Sequence, residues 1–278
     1  MTVELPLSVW PTAQATATSQ RTGRYLPACR AHPGKMLPAI AQRAITTYTA
    51  PGDLVVDPMC GIGTTLVEAI HLGRSAYGVE YEPAWAQLAR ANVHHAHGGG
   101  AAGDGHVVVG DARRLPDLLD PEVHGRVALV LTSPPYGPVV HGQVIATPGA
   151  GVRKSHDRYS VDPANLAHVG LDRLLDAMAT LFAQCQVVLR AGGFVAMTVR
   201  PYWQAGQLID LPGRLGRLGE DRGLVLFERN VCLLAGLRDD RIVPRASFFA
   251  LDQVRRARAR GLPRSVVAHE ALLVWRRR

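Results

Sequence analysis

Short, continuously apolar stretches alternate with amphipathic ones along most of this chain, and that alternation constrains the fold more than any other feature. Residues 54–56, 75–80, 107–109, 127–131, 194–199, 224–234 and 271–275 read as strands. Helical spacing separates them: residues 38–48 put Ile40, Ala41, Ala44 and Ile45 on one face, and 64–72, 83–95 and 171–189 repeat the pattern. Strands that are apolar on both sides belong inside a sheet covered by helices on both faces. The expectation is an α/β, doubly wound, mostly parallel seven-stranded sheet, in one domain over residues 25–278, with a turn at 191–193.

Two stretches break the rhythm. Residues 138–170 form a polar insertion after the fourth strand, and 235–265 form another between the last two strands, including DQVRRARARGLPR. Excursions of this length from a compact domain usually carry function or are disordered. Residues 1–24 have no basic start followed by an apolar block, so they read as a loose arm rather than a signal peptide. No apolar run is long enough for a membrane-spanning helix. The cysteines at 29, 60, 185 and 232 show no CxxC or metal-like spacing, which suits a reducing cytoplasm and predicts no metal. His94-His95-Ala96-His97 runs into glycines and reads as a frayed, solvated helix end.

The net charge of +8 is concentrated at one end: residues 255–278 hold eight arginines against Glu270 alone. A basic block on a near-neutral body points to a polyanionic partner. The bias is almost wholly toward arginine, with Lys35 and Lys154 the two lysines, so composition is an alternative source of it.

DPMCGIGTT, residues 57–65, falls where the first strand hands over to its helix. Gly61 and Gly63 permit a tight turn and close ligand approach, and the helix start beyond them offers free N–H groups. The next strand ends in Glu80, 23 residues after Asp57, a spacing suited to ribose hydroxyls. The third ends in Gly110-Asp111-Ala112. Three strand ends carrying Asp57, Glu80 and Asp111 point to a nucleoside-type cofactor. Neither GxGxxG nor GxxxxGK is present, so a cofactor without a pyrophosphate fits best, S-adenosylmethionine first among them.

DPMCGIGTT, followed by GVEYEP, GDA and TSPPYG, resembles the amino-methyltransferases of DNA, which methylate an exocyclic nitrogen of adenine or cytosine. The signatures run from about His32 to Tyr136 and imply a Rossmann-like methyltransferase sheet. The resemblance implies that Asp57 and the Gly61–Gly63 backbone hold the methionine moiety, with Cys60, Thr64 and Thr65 around it. Glu80, beside Tyr81, would bind the ribose, and Asp111, beside Ala112, the adenine amino group. HPGKM at 32–36 is similar to the family's lid segment, which puts Lys35 and Met36 over the cofactor.

In that family the fourth strand ends in [D/N/S]PPY, here Ser133-Pro134-Pro135-Tyr136. An exocyclic amine is a poor nucleophile because its lone pair is delocalised into the ring. The Ser133 hydroxyl and the Pro134 carbonyl would accept its hydrogens and localise that pair, with the prolines fixing the geometry. Tyr136 would stack on a base flipped from the helix. Carbon-5 cytosine chemistry would need a Pro-Cys pair, and none follows this strand. Serine at 133 resembles the cytosine-N4 branch, which ranks that reaction first, as in restriction–modification enzymes. Adenine-N6 ranks second and RNA guanine-N2 third, since transfer-RNA enzymes carry an N-terminal RNA-binding domain for which the arm leaves no room. A non-catalytic nucleic-acid binder is the rival from another class. Target contacts fall to Arg153, Lys154, His156, Arg158 and Tyr159 in the first insertion, and to Arg255, Arg256, Arg258 and Arg260 in the second. The partner is DNA, with RNA the alternative, and no membrane.

Overall fold

The computed structural model describes residues 5–135, 144–147, 151–154, 160, 162–246 and 248–278. Its strands are β1 (Val9–Trp10), β2 (Leu54–Asp57), β3 (Ser75–Glu80), β4 (Gly105–Val109), β5 (Val127–Thr132), β6 (Val144–Thr147) and β7 (Gly151–Lys154). After these come β8 (Leu189–Val199), β9 (Tyr202–Gln204), β10 (Gln207–Ile209), β11 (Val225–Leu233), β12 (Ala235–Arg238), β13 (Arg241–Pro244) and β14 (His269–Arg276). The helices are α1 (Ala17–Arg21), α2 (Pro38–Tyr48), α3 (Thr64–His71), α4 (Pro83–Gly98), α5 (Leu115–Leu118), α6 (Leu171–Val188), α7 (Leu211–Asp221) and α8 (Phe248–Ala259).

Eight strands share one sheet, in the order β1-β11-β14-β8-β5-β2-β3-β4. β2 pairs in parallel with β3 and β5, β3 with β4, and β5 with β8. β14 runs antiparallel between β8 and β11. From β2 the chain winds outward to β4, then resumes at β5 and winds the other way. The strand order reverses between β2 and β5, where open α/β sheets bind ligands at their carboxyl edge. The doubly wound sheet expected from the alternation is present, and an eighth strand is added to it.

That strand corrects the loose arm. β1 pairs in parallel with Val231 and Cys232 of β11, and Trp10 is buried. Buried Glu68 of α3 holds the following stretch, accepting from Arg24, from the Tyr25 hydroxyl at 2.6 Å and from Gln42 at 2.7 Å. A buried carboxylate is costly unless surrounded by donors, so the arm completes an arrangement that α3 cannot satisfy alone.

One core fills each face. Along β5, Leu129 and Leu131 join Ile40 and Ile45 of α2 and Leu66 and Ile70 of α3. Val130 turns the other way, toward Phe182 of α6, Leu215 of α7 and Trp275 of β14. Each such side chain contributes about 1.5–3 kcal/mol of burial.

Three local expectations change, and one helix is added. The turn at 191–193 lies inside β8, where the register with β5 shifts between Val127 and Leu129 and Gly192 takes φ 71°. α4 runs on to Gly98 rather than fraying at 95, and His95 and His97 meet the carbonyls of Gly23 and Gly103. Residues 235–265 hold the β12–β13 hairpin and α8, and the described part of 138–170 includes the β6–β7 hairpin. α7 had no counterpart in the sequence reading: Asp210 caps it, and a Cβ on Gly219 would lie 2.4 Å from the Trp275 indole nitrogen. Its glycines permit close helix–sheet contact.

Candidate active site

β2 delivers Asp57 to the carboxyl edge, and the chain turns through Gly61 at φ 54° and Gly63 at φ 83° into α3. The imidazole of His32 lies over the turn, where a Cβ on Gly61 would come 3.0 Å from its Nε2. His32 in turn packs edge-on against Trp85, with ring centroids 4.7 Å apart. Gly78 of β3 clears the other side, since a Cβ there would lie 2.8 Å from Cys60 Sγ. The corner is therefore clamped between a buried ring and a strand with no side chain at the contact.

One hydroxyl and several backbone N–H groups hold its carboxylates. Asp57 accepts from the Thr65 hydroxyl at 2.6 Å and from Met59 N–H at 3.1 Å. Burial raises its carboxyl to about 6 despite these bonds. Glu80 accepts from Gly61 N–H at 2.8 Å and Glu82 N–H at 2.9 Å, and burial takes it to about 7. Burial lowers the Lys35 ammonium to about 8, with the nearby Arg21 charge adding to the effect, and its Nζ donates to the His32 carbonyl. Burial works to raise Asp111, but bonds from the Arg113 side chain and backbone hold it below the usual carboxylate range.

A cavity of about 560 Å³ brings much of this together. Lys35, Met36, Asp57, Cys60, Gly61, Thr64 and Thr65 line one part of it, and Ser133, Pro134 and Pro135 another. A narrower cleft of about 40 Å³ is lined by Glu80, Tyr81, Asp111 and Ala112, and shares Met59 and Pro135 with the larger cavity. The Tyr81 hydroxyl donates to Asp162 at 2.6 Å beside this cleft. Gly63 shapes the turn without lining either space.

Among the described residues, the target contacts expected from the second insertion do not line either space. Tyr136, His156, Arg158 and Tyr159 lie outside the described residues, and Arg153 and Lys154 are placed by backbone alone, on β7. Arg255, Arg256 and Arg258 are exposed on α8, and Arg260 follows it, also exposed. Arg256 pairs with Asp252 at 2.8 Å, and none of the four lines either cavity.

Several cavity residues escaped the sequence reading. Ala13 and Thr16 to Thr18 reach it from the packed arm, Arg200 from the end of β8, Arg245 after the β12–β13 hairpin, and Glu270 from the start of β14. Glu270 had a signal in sequence, as the one acid in the arginine block, but it counted there only as charge. All four thiols are buried, and burial raises each above its ordinary value, the opposite of an activated nucleophile. Among the described residues, no group of three or more His, Cys, Asp or Glu is placed to hold a metal ion, and no helix is long and apolar enough to cross a membrane.

Comparison with known proteins agrees with the motifs. The family model N6_N4_Mtase, described as DNA methylase, matches residues 3–91. The chain is 39% identical over 72 residues to the type II methyltransferase M.BglI of Bacillus subtilis, covering 25% of this chain and 21% of that protein. It is 32% identical over 107 residues to a tRNA (guanine(10)-N2)-dimethyltransferase of Methanothermobacter thermautotrophicus, covering 38% and 29%. The matched segments thus span less than a third of these relatives' own lengths. Among solved structures, TrmN from Thermus thermophilus superposes with a TM-score of 0.52 at 18% identity, over 88% of this chain and 50% of that one, a likeness of fold. Over residues 3–91 the chain is thus similar to the N6/N4 DNA methylases, and its sheet has the Rossmann-like order of the methyltransferase fold.

Proposed function

We propose that this chain transfers a methyl group from S-adenosylmethionine to the exocyclic N4 amine of cytosine in DNA, with the base flipped into the cavity beside Ser133. One observation carries the reading: the cofactor corner and Ser133-Pro134-Pro135 line the same cavity. The cofactor fits the donor set. Asp57 and Glu80 are desolvated carboxylates flanking the glycine turn, and a ligand with cationic and hydroxyl groups offsets that cost. When bound, S-adenosylmethionine supplies an electrophilic methyl group.

The chain's own residues do the rest. Asp57 and the N–H groups opening α3 hold the amino-acid end, beneath Lys35 and Met36. Glu80 accepts from ribose hydroxyls, and Asp111 from the adenine amine with its remaining lone pairs. The Ser133 hydroxyl and Pro134 carbonyl take the hydrogens of the target amine, and the two prolines keep those acceptors in place at no cost in reorganisation. Tyr136 stacks on the flipped ring. Arg255, Arg256, Arg258 and Arg260, with Arg153, Lys154, His156, Arg158 and Tyr159, engage the nucleic-acid backbone and flanking bases, in the cytoplasm.

RNA guanine-N2 is the second reading, favoured by the archaeal transfer-RNA relative. The test is transfer of labelled methyl groups from S-adenosylmethionine to DNA and to RNA, followed by digestion to nucleosides. N4-methylcytosine is the expected product. N6-methyladenine or N2-methylguanine would replace the target, and no labelled nucleoside would leave a binding module in its place.

A further inference from the structure

We propose that Glu270, with Arg200 beside it, reads the hydrogen-bonding edge of the target base and thereby determines which base is accepted. The proposal rests on the cavity being the base pocket, and it assigns a specificity role to two residues outside the sequence motifs described above.

The sheet register places them there. Thr132 of β5 pairs with Met197 of β8, and Val199 of β8 pairs with Ala271 of β14. One step past each pair brings Ser133, Arg200 and Glu270 to the carboxyl edge on three adjacent strand lines. Two strand spacings, about 10 Å, separate the β5 and β14 lines, room for a base ring with hydrogen bonds on both sides. Side-chain alternation puts all three on one face. Leu129 and Leu131 precede Ser133, Ala196 precedes Arg200 by four, and Leu272 and Val274 follow Glu270, all packed in the same core. Ser133, Arg200 and Glu270 accordingly line one cavity.

Among the described residues, Asp57 and Glu270 are the two acids that line it. Asp57 is taken by Thr65 and Met59 on the cofactor side, so Glu270 is the acid on the target side. Burial raises its carboxyl, and the Arg200 charge only partly opposes this. The other titratable and charged groups around it are Cys232 on β11 and, across the cavity, Arg245, Lys35, His32 and Asp57.

Protonation matters because it changes what the side chain can match. A neutral carboxyl has a hydrogen to donate to cytosine N3, beside the N4 amine whose hydrogens Ser133 and Pro134 accept. An ionised carboxylate only accepts, complementary to guanine N1–H and its N2 amine. In its neutral form Glu270 donates to N3 beside the reacting amine, and Arg200 donates to the O2 carbonyl.

The test compares Glu270→Ala and Glu270→Gln with the wild type in labelled methyl transfer to a DNA oligonucleotide, with cofactor affinity measured by calorimetry. Glu270→Ala should lower kcat/KM about tenfold to a hundredfold, as for the lost hydrogen bond that leaves N3 unpaired, while cofactor affinity stays at the wild-type value. The amide of Glu270→Gln keeps one donor and one acceptor, so it should recover most of that loss. It should also abolish the decline in wild-type rate as rising pH ionises Glu270. A purely structural role predicts no such difference in the pH profile. Alanine turning over like wild type would overturn the proposal, as would glutamine performing no better than alanine. A wild-type chain that labels no nucleic acid would overturn the underlying functional reading, and this inference with it.

Discussion

The two halves of the sheet's carboxyl edge are built differently. On the half proposed to hold the cofactor, at the ends of β2, β3 and β4, the carboxylates lie within one stretch, Asp57 to Asp111, and are fixed by neighbouring backbone N–H groups. On the half proposed to hold the target base, at β5, β8 and β14, Ser133, Arg200 and Glu270 come from distant parts of the chain and meet only through sheet register. The first half is a local device whose geometry follows from a short sequence. The second exists only when the whole sheet is assembled, which leaves its side chains free to differ without disturbing the cofactor corner.

Glu80→Ala should break the cofactor half with the largest effect. It removes the acceptor for Gly61 N–H and for the ribose hydroxyls, at about 3 kcal/mol, or a hundredfold or more in cofactor affinity by calorimetry. Tyr136→Ala tests the target half: turnover should fall about tenfold to a hundredfold, the worth of one base–aromatic stack, with cofactor affinity retained. Unchanged turnover would remove Tyr136 from the mechanism.

Gly219→Ala touches neither half directly. Its Cβ would meet the Trp275 indole, so thermal or denaturant melts should show a loss of about 1–3 kcal/mol, with cofactor affinity unaltered at temperatures where the protein is folded. The remaining test is pH dependence. Asp57 at about 6 and Glu80 at about 7 bind protons more tightly when folded than at their ordinary values of 3.8 and 4.5. Their contribution is therefore greatest in acid and is lost as pH rises through those values, by at most about 1.4 kcal/mol per pH unit for each group. Melting temperatures of the cofactor-free protein should fall between pH 5 and 8, and added cofactor should flatten the slope. A slope of opposite sign would mean that these carboxylates are not desolvated.

How much of this was legible in the sequence follows the same division. Short apolar strands and amphipathic helices marked the parallel sheet, and DPMCGIGTT with Glu80 marked the cofactor corner, because both patterns are local. α7 was not legible, since glycines chosen for contact with Trp275 look like turn residues until the partner strand is known. β1 was too short to carry a period, and its pairing with β11 joins positions more than two hundred residues apart. Glu270 looked like a stray acid among arginines, because the strand lines that bring it toward Ser133 belong to no single segment.

The division is tested most directly by calorimetric titration of S-adenosylmethionine into the wild type, Glu80→Ala and Glu270→Ala. The account predicts that Glu80→Ala weakens binding at least a hundredfold while Glu270→Ala binds like the wild type. Equal losses in both variants would contradict it, showing that the two halves form one undivided site.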